Sequence, residues 1–138
     1  MIDVKKIIKK EGILHIFGHE GLVCILMRPH QINRTDPSMF HWCGYVVIPV
    51  ESKVAKWLDE KGLEYLDQRI IVHGGITMFQ LEDGLLWIGF DCAHAYDICM
   101  TNTSLHSSDA TYKDLSYATK EIKSLAEQIL KLYAIDHL

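Results

Sequence analysis

At 138 residues, 49% of them apolar, the chain is long enough to bury a core without disulfide or metal staples, and it reads as a single domain over residues 1–138. A formal charge of −4 with lysines scattered along the chain excludes the basic field that bulk nucleic acid requires. No apolar stretch approaches the roughly 20 residues that span a bilayer, no apolar segment follows Met1-Ile2-Asp3-Val4-Lys5, and Cys24, Cys43, Cys92 and Cys99 form no CxxC pair, so the expectation is a cytoplasmic protein with reduced thiols.

In chain order, Asp3 is placed to cap a short amphipathic helix whose Val4, Ile7 and Ile8 share a face and which stops at Gly12. Ile13–Phe17 and Leu22–Arg28 flank Gly18-His19-Glu20-Gly21 and predict a hairpin. A polar stretch through Asn33, Arg34, Thr35, Asp36 and Pro37 predicts a loop, and Phe40–Pro49 a strand. Glu51–Gln68 carries a helical pattern interrupted at Gly62. Arg69–His73, Ile76–Leu81 and Leu85–Asp91 read as strands, the last two joined through Asp83-Gly84, a strong signal for a tight hairpin turn.

Residues 99–110 are rich in Ser, Thr and Asn and predict an exposed loop, a candidate lid. Leu115, Ala118, Ile122, Leu125, Ile129 and Leu132 then recur at helical spacing. They predict a long amphipathic helix that packs on the sheet or across a dimer interface, with a capping box at Thr111 and Asp114 and fraying from Asp136. The fold class is α+β: a mainly antiparallel sheet covered on one face, with a short N-terminal and a long C-terminal helix.

The residues suited to chemistry gather at one end of the predicted hairpin. Continuing the pairing across Asp83-Gly84 sets Gly75 against Cys92 and His73 against His94, and directly opposed side chains stand about 4.5–5.5 Å apart on one face. A helical turn beginning near Asp91 puts Asp97 three residues beyond His94, placed to orient it. Gly74 and Gly75 remove two side chains beside His73, making room for a ligand or a bend. His73, Gly74, Gly75, Thr77, Asp91, His94 and Asp97 are therefore the candidate ligand-binding residues, and His73, His94 and Asp97, with Cys92 as an extra, a candidate ligand set for a divalent metal such as zinc.

The same histidines also suit general acid–base work near neutral pH. The structural alternative has Asp91 capping a turn, Cys92 buried as a small hydrophobe and His94 a satisfied core residue. His15, His19, His30 and His41 sit in ordinary strand, turn and loop contexts, Arg28 and Arg34 read as solvated loop arginines, and Trp42, Tyr45 and Trp87 as core aromatics.

His73-Gly74-Gly75-Ile76-Thr77 and Gly89-Phe90-Asp91-Cys92-Ala93-His94-Ala95-Tyr96-Asp97 resemble the paired signature of a family of small proteins of phages, prophages and bacteria. Cys43–Pro49 and Tyr112–Leu130 resemble that family's upstream strand and final helix. A small residue commonly stands in the pattern where this chain has Tyr96, a departure that narrows a pocket while leaving the histidines and aspartates intact.

The resemblance implies a phage-associated setting, in the host cytoplasm, and a shared site, and it supplies no reaction. By analogy with small phage proteins that counter host defence, the leading expectation is an oligomeric sponge that sequesters a nucleotide-derived immune signal. The alternative is a metal-assisted or His/Asp acid–base hydrolase of a phosphate-containing or nucleotide substrate, and a third reading is a protein inhibitor of a host enzyme.

Overall fold

A computed structural model describes residues 3–29, 40–99 and 108–138. The polar stretch that contains His30 and Arg34, and most of the Ser/Thr-rich loop expected as a lid, lie outside the described residues.

Helix α1 (Val4–Glu11) is capped as expected, the Asp3 carboxylate accepting from the Lys6 N–H and Gly12 ending the helix by donating to Ile8 O. Strands β1 (Leu14–His19) and β2 (Leu22–Met27) form the first hairpin through Glu20-Gly21. After β3 (Cys43–Pro49) comes α2 (Lys53–Asp67), capped by Ser52 and broken at Gly62, whose φ of 83° and ψ of 165° are far from helical. Strands β4 (Met78–Glu82) and β5 (Leu85–Asp91) turn through Asp83 and Gly84, both at positive φ, the geometry a two-residue hairpin demands. The chain then reaches α3 (Leu115–Asp136).

All strand neighbours are antiparallel, in the order β1-β2-β3-β5-β4. The α3 stripe Ala118, Ile122, Leu125 and Ile129 is fully buried against Cys24, Leu26, Val46, Leu86, Ile88 and Phe90. Its apolar face is therefore spent on its own sheet. No helix among the described residues is long and apolar enough to cross a membrane.

The opposite sheet face is apolar as well. Tyr45 and Val47 are almost covered there, beside Ile25, Met27, Met78, Leu85 and Trp87. Ile16 and Val23 remain exposed on its β1 side, and a hollow of about 190 Å³ lies among Met27, Tyr45, Met78, Glu82 and Trp87.

Several expectations need correction. Arg69–His73 is not a strand, because its backbone finds partners on α3: the Ile71 N–H and C=O both bond the Gln128 amide at 2.8 and 2.7 Å, and the His73 N–H donates to Glu121 Oε1 at 2.7 Å. A segment satisfied in this way needs no ladder. The N-cap of α3 is Asp114 rather than Thr111, accepting from the Tyr117 N–H at 2.8 Å. Asp136 does not fray, since its carboxylate takes the Trp57 indole N–H at 2.7 Å and pairs with Lys61.

Arg28 also departs from the solvated reading. Its side chain is fully buried, stacked 4.1 Å over the Trp42 ring. It donates to the Gly12 and Phe40 carbonyls and to Glu11 Oε1. That single Glu11 oxygen also accepts from Trp42 Nε1, the Tyr112 hydroxyl and the Leu115 N–H, at 2.9, 2.6 and 3.2 Å. The end of α1, the end of β2 and the start of α3 thus meet on one buried charge pair.

Candidate functional site

Where β4 ends toward its N-terminus, the chain leaves the sheet. Thr77 N–H still donates to Gly89 O at 2.9 Å, and then Val72–Gly75 close a turn in which Gly75 N–H donates to Val72 O. On the other side, β5 stops at Asp91, whose Oδ1 accepts the Ala93 N–H at 3.1 Å. His94–Asp97 form a second turn, Asp97 N–H to His94 O, closed from the opposite sense by His94 N–H to Asp97 Oδ2 at 3.0 Å.

Two turns, rather than a continued ladder, therefore bring the histidines together. The His73 and His94 ring centroids are 5.6 Å apart, nearly edge to face. Gly74 makes this approach possible. It sits at φ +69°, and a Cβ there would lie 2.1–2.5 Å from three atoms of the His94 ring. Gly75, at φ +83°, faces the Asp67 carboxylate, which accepts the Ile76 N–H, and so shapes the turn from the other side.

His73 is engaged at both nitrogens. Nε2 lies 2.6 Å from Asp97 Oδ2 and Nδ1 lies 2.6 Å from the Tyr117 hydroxyl. An ionised carboxylate only accepts, so the network assigns the ring proton to Nε2 and leaves Nδ1 to accept from Tyr117 O–H. Asp97 is 2% exposed. Burial pushes its carboxyl up, but the hydrogen bonds from His73, the His94 N–H and Lys113 outweigh that and hold it below the usual carboxylate range. Lys113 Nζ stands 3.0 Å from Oδ1 and is itself held by the Tyr96 and Thr111 carbonyls. Burial, then the Glu121 carboxylate, raise the Tyr117 hydroxyl, so it keeps its proton.

His94 differs from His73. Its side chain is 35% exposed, while Nδ1 is buried without a hydrogen-bond partner, 3.5 Å from Asp97 Oδ2 and 3.7 Å from Asp91 Oδ1. Of the residues predicted from sequence, the structure unites His73, Gly74, His94 and Asp97, with Asp91 and Gly75 bordering them. Thr77 is exposed, and none of the cluster's hydrogen bonds or ion pairs reaches it. Cys92 belongs to the core, where burial raises its thiol.

Tyr117, Glu121 and Lys113 were not legible as site residues. A signal existed: Tyr117, Glu121 and Gln128 lie on the margin of the apolar α3 stripe, where polar side chains meet whatever backbone passes.

His41 is buried as well, 5% exposed, with Nδ1 unpartnered. Burial lowers its pKa below 6.5, against the opposing pull of Asp91, a backbone bond at Cys99 and Asp97, with Arg28 adding to the lowering. The unfolded chain therefore takes up this proton first. Stability from a neutral His41 is full above about pH 6.5 and is lost as pH falls through the lower folded value. In urea titrations from pH 7.5 to 5.5, His41→Phe is expected to flatten part of the acid-side decline, and an unchanged slope would refute the assignment.

The fold and this cluster define the chain as an α+β protein with a histidine–aspartate centre at the open end of a β-hairpin. No family model, no curated protein and no solved structure matches it.

Proposed function

We propose that the protein is a His/Asp acid–base hydrolase of a phosphate-containing small molecule of the nucleotide type. The observation that carries this reading is the chain from Asp97 through His73 to Tyr117, two contacts of 2.6 Å ending in a protonated hydroxyl. Asp97 fixes the ring tautomer and His73 Nδ1 holds the Tyr117 hydroxyl in place, and Tyr117 gives its proton to the leaving oxygen by turning its O–H away from that nitrogen. His94, the more exposed imidazole, takes the proton of the attacking water. One proton leaves the water and one reaches the product, so the enzyme returns to its starting state after relay through solvent.

The full satisfaction of His73 favours a second reading, in which the same residues hold a nucleotide-derived signal without converting it, as a phage-encoded sponge would. Incubation with a panel of nucleotides and phosphate esters, followed by chromatography of the products, separates the two. Turnover by the wild type that falls roughly 10²–10⁴-fold in His73→Asn supports the hydrolase. A ligand recovered intact in stoichiometric amount, with no product, overturns it in favour of the sponge.

A further inference from the structure

We infer that the same centre is a divalent-metal site, with His73 Nε2, His94 Nδ1 and Asp97 Oδ2 as ligands and zinc the ion that this nitrogen-rich donor set suits. The inference deepens the acid–base reading and rests on it for the site's role, while its geometry stands independently. One ligand atom from each of the three residues lies within 4.8 Å of the other two. Zinc at about 2.0–2.2 Å from each ligand needs them roughly 3.3–3.5 Å apart in tetrahedral geometry. The His94–Asp97 separation of 3.5 Å already matches, and the His73–Asp97 separation of 2.6 Å is what a shared proton produces.

The buried, unpartnered Nδ1 of His94 is the second observation. A ring nitrogen hidden from water and turned toward two carboxylates leaves a polar atom unsatisfied, and its position 3.5 Å from Asp97 Oδ2 is where a cation would give it a partner. The bare backbone of Gly74 is what lets the His94 ring lie this close to His73. Tyr117 completes the arrangement. When the ion displaces the proton on His73 Nε2, the ring carries its proton on Nδ1 instead and donates it to the Tyr117 oxygen, the outer contact that metal-bound histidines require. Three protein ligands leave a fourth position open to water or a phosphate oxygen. Lys113, beside Asp97 Oδ1, competes electrostatically with the ion.

The test uses the full chain, stripped with a chelator, dialysed and titrated with zinc chloride by calorimetry, with metal content checked by elemental analysis. One zinc per chain is expected. Tyr117→Phe should weaken binding roughly 10–100-fold and His94→Ala by more, with the fold verified by circular dichroism. Lys113→Met should tighten it, a gain that a purely structural lysine would not produce. Absence of zinc uptake by the wild type, or uptake undiminished in folded His94→Ala, overturns the inference. Hydrolysis assayed with chelator present keeps the two readings apart. Turnover that persists there and vanishes in His73→Asn removes the metal and leaves the acid–base centre, whereas zinc binding without turnover of any ester leaves the metal site and removes the hydrolase.

Discussion

Glu11→Ala is expected to destabilise the protein by about 3–5 kcal/mol, the cost of stranding a buried charge. The expected fall in Tm is on the order of 10–20 °C for a chain of this length. Removing the Glu11 carboxylate leaves Arg28 fully buried without its counter-charge, and deprives the Trp42 indole, the Tyr112 hydroxyl and the Leu115 N–H of their shared acceptor. Since the whole stability of such a protein is about 5–15 kcal/mol, one surface-looking glutamate at the end of an otherwise unburied helix controls a large share of it. Urea denaturation at neutral pH measures the effect. A loss below about 1 kcal/mol, the range of an exposed ion pair, would show that the network is ornamental.

Gly74→Ala is expected to dismantle the site while the fold survives. The positive φ costs an alanine about 1–2 kcal/mol, and the new methyl group must expel the His94 ring from its place against the turn. Gly75→Ala is the matched control. It carries the same backbone penalty at φ +83°, but its methyl group meets the Asp67 carboxylate at 3.3 Å and leaves His94 alone. Histidine ring resonances should therefore move at both His73 and His94 in the first variant and stay near their wild-type positions in the second. If His94 is undisturbed by Gly74→Ala, the packing described for the two turns is incorrect.

Much of the fold was legible because local chemistry decides it. Asp3 acts through its carboxylate on the adjacent turn, Gly12, Gly62 and Asp83-Gly84 each act through their own backbone, and the α3 stripe repeats strongly enough to be read without knowing its partner. The histidine pair was also legible, though through an argument that the structure replaces: the ladder implied by the Asp83-Gly84 turn ends at Met78 and Gly89, and two turns then carry His73 and His94 to the same meeting point. What stayed hidden depends on distant segments. Arg28 follows a strand and precedes a proline, the setting of an exposed residue, and only the arrival of Glu11 and Tyr112 makes its burial tolerable. Arg69–His73 has the composition of a strand, yet Gln128 and Glu121, more than 45 residues away in sequence, satisfy its backbone instead of a neighbouring strand.

The way α3 grips the 71–73 segment also sets an order of events during synthesis. His73 is held through Tyr117 and Glu121, and Asp97 through Lys113, so a nascent chain that has exposed all five strands still carries no assembled centre. The centre comes into being only when the beginning of α3 has cleared the ribosome and docked. A ribosome-bound chain arrested before residue 113 would hold its sheet residues, both imidazoles and Asp97, and would lack the Lys113, Tyr117 and Glu121 contacts that complete the centre.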